Sequence, residues 1–110
     1  MAQARFDALR SLAFGGLSGT YAPVGTAVTK NFVVFKVVNT TNADVTGSFD
    51  AGVTDNIFIP AGSFCLYDLS TNAPPIPVND SLVMSIGTRL YAKATGASSG
   101  AVYFEGLYAK

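Results

Sequence analysis

A chain of 110 residues has room for one domain, and a domain of that size buries only about two-thirds of the surface its unfolded form exposes. Only 13% of positions are charged, seven basic against seven acidic, while 49% are hydrophobic and His and Trp are absent. Globular domains carry charge at about a quarter of positions, so a chain with half that share and no room for an outsized core is expected to be covered by other protein, with a homo-oligomer as the simplest case.

The same inventory removes several classes of partner. Lys30, Lys36, Arg89 and Lys93 are scattered and the formal net charge is zero, so no positive field for phosphate neutralisation is built and nucleic acid is not expected. No run approaches the ~20 apolar residues of a membrane-spanning helix. Arg5, Asp7 and Arg10 break up residues 1–14, where an export leader would need its hydrophobic region, so neither a membrane segment nor Sec export is expected. Cys65 is the single cysteine, so cohesion must come from packing rather than from an internal disulfide.

In chain order, residues 1–12 mix Arg5, Asp7 and Arg10 with Phe6, Leu9 and Leu12. That is too few apolar positions for a core and too many for a solvated tail, and an N-terminal arm docking on a neighbour is expected, with a sandwich domain over 13–110. Helix is conceivable only over 4–12, where an isolated segment is marginal. From residue 30 onward short β-rich runs alternate with turn residues. The clearest is 30–39 (KNFVVFKVVN), followed by 44–50, 56–59, 63–69, 81–85, 88–94 and 101–109. Pro60-Ala61-Gly62, the three-proline stretch 72–79, Ile86-Gly87 and 95–100 separate them. The predicted fold is all-β: a single antiparallel sandwich, jelly-roll or immunoglobulin-like, of about seven to eight strands.

Period-two alternation assigns faces. Over 30–39 it sets Val33, Phe35 and Val37 toward the core. Phe32, Val34 and Val38 then share an outward face with Lys36, a composition suited to a protein contact. In the last two strands it sets Leu90, Ala92, Val102 and Phe104 inside, and Arg89, Tyr91, Lys93, Tyr103, Glu105 and Leu107 outside. The candidate interface residues are therefore Phe32, Val34, Val38, Tyr91, Tyr103 and Leu107. If 88–94 and 101–107 form a hairpin across 95–100, Arg89 opposes Glu105 and Tyr91 opposes Tyr103.

Catalysis and cofactors are not expected. Without His the commonest general base is missing, and one Cys cannot build a Cys/His zinc site. The carboxylates are six Asp and the single Glu105, and Asp44, Asp50, Asp55 and Asp80 sit in or beside turns, where Asx turns account for them. Asp50, Asp55 and Asn56 share one loop and carry oxygen ligands of the kind calcium takes, but the EF-hand spacing is missing and a turn cluster is the simpler reading. Cys65, between Phe64 and Leu66, reads as a small buried hydrophobe. Asn39-Thr40-Thr41 fits the glycosylation pattern but reads as a turn, and Gly15-Gly16 with Gly19 give no phosphate-binding loop.

The succession Asn39-Thr40-Thr41, Ser48-Phe49-Asp50-Ala51-Gly52, Ile59-Pro60-Ala61-Gly62-Ser63, Tyr67-Asp68-Leu69, Asn72, Gly87-Thr88, Tyr91-Ala92-Lys93 and Gly100-Ala101-Val102-Tyr103 ending in Tyr108 resembles small β-sandwich virion proteins of tailed bacteriophages. The likeness lies in the order of strands and turns from about residue 30 to 110 and carries over no functional residue. It implies a non-enzymatic structural part of a phage particle, assembled in the host cytoplasm. Such a part either decorates the capsid or joins the head-tail neck, with itself and capsid, portal or tail proteins as partners. The alternative is a carbohydrate-binding or adhesive sandwich using Tyr21, Tyr67, Tyr91, Tyr103 and Tyr108 to stack on sugars, against which the absence of Trp counts.

Overall fold

A computed structural model describes residues 4–69 and 84–109. Nine strands are present among them: β1 (Ala4–Phe6), β2 (Arg10–Ala13), β3 (Ala22–Pro23), β4 (Phe32–Asn39), β5 (Val45–Ser48), β6 (Ile57–Ile59), β7 (Phe64–Asp68), β8 (Tyr91–Lys93) and β9 (Ala101–Ala109). They form two antiparallel sheets packed as a sandwich. The five-stranded sheet runs β7–β4–β9, with β1 and β2 both pairing along β9; the four-stranded sheet runs β3–β8–β5–β6. Apart from one 3-10 turn at Phe14–Gly16, the described residues contain no helix, and neither sheet closes into a barrel. The all-β sandwich expected from turn spacing is the observed architecture. The expected strand 81–85 and the proline-rich turn 72–79 lie largely outside the described residues; Met84 makes a single bridge to Phe32.

The core lies between the sheets. Phe35, Val37, Val102 and Phe104 face inward from the five-stranded sheet, and Val45, Ile57, Ile59, Leu90 and Ala92 face them from the other; Val24 and Val28 close one side. Phe104 is the hub of an aromatic cluster, meeting Phe32 edge-on at 5.9 Å, Phe35 at 6.0 Å and Phe49 at 6.3 Å. Such edge contacts add about 0.5–1.5 kcal/mol each beyond the area they bury.

Phe32 does not face outward. It is fully buried, because a bulge interrupts β4: Phe32 opposes Tyr108 and Val34 opposes Leu107, which makes Val33 the extra residue. One inserted residue reverses the alternation on its far side. The ring then lies over Gly106, where any Cβ would fall inside the ring's van der Waals surface. A glycine in mid-strand at this point makes room for the aromatic side chain of the neighbouring strand.

The N-terminal segment belongs to the five-stranded sheet. Phe6 opposes Leu107 and Leu12 opposes Val102 along β9. Arg10, only 8% exposed, fastens it: Nε donates to Thr26 O at 2.8 Å, Nη1 to Asp7 Oδ2 at 2.8 Å and to Ala8 O at 3.1 Å, and Nη2 to Ala27 O. Burial alone would raise the Asp7 carboxyl, but hydrogen bonds from Arg10 and the Ala8 backbone, with the charges of Arg10 and Lys30, outweigh it and hold it below its ordinary value. The mixture of charge and apolar residues over the described positions 4–12 thus reflects an edge segment pinned by one buried cation, where an arm docking on a neighbour was expected.

The expected hairpin of the last two strands does not form. β8 pairs with β5 and β3, and β9 with β4, β1 and β2, so the 95–100 connection crosses between sheets. Leu90, Ala92, Val102 and Phe104 all point inward as expected, because both strands face the same core from opposite sides. Glu105 opposes Lys36 instead of Arg89, whose Nε donates to Gly25 O at 2.9 Å. Alternation specifies a face and leaves the partner open. The crossing loop is held by Asn42, which donates to Ser98 Oγ and accepts from Ser98 N, and by Gly100, whose φ of +83° and approach to the Thr40 carbonyl leave no space for a side chain.

Candidate protein-contact face

Register lays out the outer face of the five-stranded sheet in rows. Asp68, Val34, Leu107 and Phe6 stand side by side; Leu66, Lys36 and Glu105 form the next row; Phe64, Val38, Tyr103 and Ser11 form the third. Three of these side chains are largely open to solvent, Phe6 at 81%, Phe64 at 60% and Leu66 at 57%. Between the rows lies a shallow depression of about 190 Å³ bounded by Phe6, Val34, Lys36, Leu66, Glu105 and Leu107.

Inside the β7 edge, where Asp68 stands, one ion pair interrupts the apolar side chains of this surface. Lys36 Nζ lies 3.6 Å from Glu105 Oε1, both side chains are well exposed, and the ammonium sits 5.1 Å above the Phe64 ring. A pair so loose and so wet contributes about 0–1 kcal/mol to the fold. Large apolar side chains massed around one such pair have the make-up of an interface centre.

Of the six residues assigned to an interface by alternation, Val34, Val38, Tyr103 and Leu107 come together here. Phe32 is in the core, and Tyr91 stands on the opposite sheet, on the other side of the sandwich. Phe6, Phe64 and Leu66 complete the face and escape a strand-by-strand reading. Strand β7 (FCLYD) is apolar on both sides, and only its pairing of Leu66 with Lys36 shows which side faces out. Phe6 becomes visible once residues 4–6 are known to be a strand.

The outer face of the four-stranded sheet has another chemistry. Lys93 lies 4.7 Å over the Tyr21 ring and 3.6 Å from Asp55, and the Tyr21 hydroxyl donates to that carboxylate. Burial, the Asp55 hydrogen bond and the charges of Asp55 and Asp50 push the Tyr21 hydroxyl up to about 12. Arg89 covers the Tyr91 ring at 5.8 Å. Phe58, 61% exposed, is the large apolar side chain standing out from β6.

The remaining candidate chemistry resolves into turns. Asp50 Oδ1 accepts from Ser48 Oγ at 2.6 Å and from Thr54 N at 2.9 Å, contacts that lower its carboxyl, and Asn56 Oδ1 accepts from Phe49 N at 2.8 Å. The Asp50 and Asn56 oxygens therefore stitch the 49–56 loop, the simpler of the two readings, while Asp55 pairs with Tyr21 and Lys93. Asn39 is fully buried; its Nδ2 lies within donating distance of the carbonyls of Ala43, Ile59 and Pro60, and its Oδ1 accepts from Thr41 N, so its amide is the knot of a turn. Cys65 packs partly buried against the core, and that burial raises its thiol despite a backbone hydrogen bond from Val37.

Comparison with protein families, curated proteins and solved structures finds no match.

Proposed function

We propose that this protein is a non-enzymatic structural subunit of a bacteriophage virion. It is assembled in the host cytoplasm and, on the capsid or at the head-tail neck, packs against a neighbouring subunit, itself or another phage protein, through the outer face of its five-stranded sheet. The observation that carries the reading is the cluster of Phe6, Phe64 and Leu66 beside Val34, Val38 and Leu107 on one sheet face. Fully burying a Phe or Leu side chain stabilises by about 1.5–3 kcal/mol. Covering the three most exposed would therefore yield about 3–6 kcal/mol. Association costs an estimated 4–15 kcal/mol or more, so those three do not hold a complex alone. The rest of the face must contribute, which fits a subunit that stays put among many neighbours.

Local pairing of five of the seven acidic groups supports a role outside catalysis. Asp7 serves Arg10, Asp44 accepts from Ala61 N, Asp50 serves the 49–56 loop, Asp55 serves Tyr21 and Lys93, and Glu105 serves Lys36. The carbohydrate-binding alternative draws less support. Tyr21, Tyr91 and Tyr108 lie beneath cations and Tyr67 stacks on Phe35 at 5.0 Å, so these rings are spread over both sheets rather than gathered on one platform.

Quantitative mass spectrometry of purified particles tests the proposal. The chain should be present at many copies per particle, and Leu66→Asp should reduce its incorporation at least tenfold while leaving the isolated domain folded. Absence from intact particles would overturn it.

A further inference from the structure

We propose that two copies of this chain pack their five-stranded sheets face to face about a two-fold axis that runs parallel to the strands between β4 and β9, so that Lys36 of each copy meets Glu105 of the other. This rests on reading that face as a protein contact and names its occupant as a second copy of the chain.

The charges select both the partner and the axis. Lys36 and Glu105 sit on neighbouring strands in one row near the middle of the face; nothing else on that row carries charge, and Asp68 is the charged residue of the adjacent row, at the β7 edge. A two-fold axis across the strands through this row would set Lys36 against Lys36 and Glu105 against Glu105. An axis along the strands, midway between β4 and β9, instead lays β9 of one copy over β4 of the other. Glu105 then faces Lys36, Leu107 faces Val34, and Tyr103 faces Val38, each contact made twice as an isologous interface requires. The axis also keeps the strands of the two copies nearly aligned, which is the common mode of sheet-on-sheet packing.

Capacity and size agree with this. At 3.6 Å and with side chains 38% and 44% exposed, the pair within one chain leaves donors on the ammonium and lone pairs on the carboxylate for a second partner. Strands β4 and β9 are eight and nine residues long. With strands about 4.8 Å apart and rising about 3.4 Å per residue, the four-strand-wide face covers roughly 500 Å² in projection. That is of the same order as, though below, the ~800 Å² per partner of a standard interface.

Charge reversal separates contacts between chains from the contact within one. Lys36→Glu gives a chain with two acidic groups in the row, and Glu105→Lys gives one with two basic groups; neither can pair with its own kind. Mixed together they restore both contacts across the axis while each chain keeps its internal repulsion. Sedimentation equilibrium should show the parent dimerising, each variant alone weakened on the order of 100-fold, and the equimolar mixture recovering to within about tenfold of the parent. Melting transitions near the parent's should accompany all three samples, since an exposed pair adds little to the fold. Variants that dimerise like the parent, or a mixture that stays monomeric, would overturn the two-fold arrangement. A monomeric parent whose Leu66→Asp variant still drops out of particles would refute self-pairing alone; if that variant also enters particles normally, the contact-face reading fails with it.

Discussion

Replacing Phe32 by alanine should destabilise the fold by about 4 kcal/mol, although the plain alternation of β4 would have placed this side chain in water. The ring is fully buried, meets Phe104 edge-on at 5.9 Å, lies over the bare backbone of Gly106, and has the Arg10 guanidinium 5.9 Å above it. Core Phe→Ala changes cost about 3–5 kcal/mol, and the cost rises when the surroundings cannot collapse. Gly106 has no side chain to move into the void, which argues for the upper half of that range. In a domain of this size, ~4 kcal/mol lowers the midpoint of thermal unfolding by roughly 16 °C. The stronger test is the coupling. Gly106→Ala alone drives a Cβ into the ring and should cost about 1–3 kcal/mol as overpacking, yet in the Phe32→Ala background the same methyl enters vacated space and should be neutral or stabilising. Urea unfolding of the parent, both single variants and the double variant measures the cycle, and a coupling of at least 1 kcal/mol is expected. Additivity to within about 0.5 kcal/mol, or a Phe32→Ala cost below about 1 kcal/mol, would refute the bulge as described.

Other consequences can be checked on the isolated domain. Asn39→Ala strands the buried amide of Thr41 and carbonyls around the 39–43 turn; at about 1–3 kcal/mol for each unsatisfied group it should cost at least 2 kcal/mol in urea unfolding, and more than Asn42→Ala at the exposed end of the same turn. Tyr21 holds its proton up to about 12 when folded against an ordinary value of 10.0. Its contribution is therefore complete below pH 10 and lost as pH rises from 10 to about 12. The stability gap between the parent and Tyr21→Phe should be widest near pH 8 and shrink across that window, whereas a gap that stays constant to pH 12 would contradict the Tyr21–Asp55 contact.

What the sequence made legible was the class of fold and the side of β8, of β9 and of β4 beyond its bulge that faces the core, because turn residues and period-two alternation are local. Val102, Phe104, Leu90 and Ala92 were assignable from their own strands alone. Pairing was not, because β8 and β9 look the same whether they share a sheet or face each other across one; the partner of Glu105 lies about seventy positions away at Lys36. The bulge at Val33 left one trace, the isolated Gly106 inside an apolar strand, which marks a close approach without saying whose ring approaches. The N-terminal strands were obscured by Arg10, a cation that is buried only because the backbone carbonyls of Thr26 and Ala27 and the Asp7 carboxylate converge on it. Half of the contact face was therefore readable, in Val34, Val38, Tyr103 and Leu107. The other half, Phe6, Phe64 and Leu66, depended on register.

Hydroxyl-radical footprinting of the chain in purified particles, set against the free chain diluted until it is monomeric, tests the central claim most directly, because the two faces of the sandwich carry comparably exposed aromatic reporters. Phe6, Phe64 and Leu66 on the five-stranded sheet should lose most of their labelling on assembly, while Phe58 on the four-stranded sheet should lose much less. Protection of Phe58 with Phe64 and Leu66 labelled as strongly as in the free chain would place the contact on the other sheet and contradict the account.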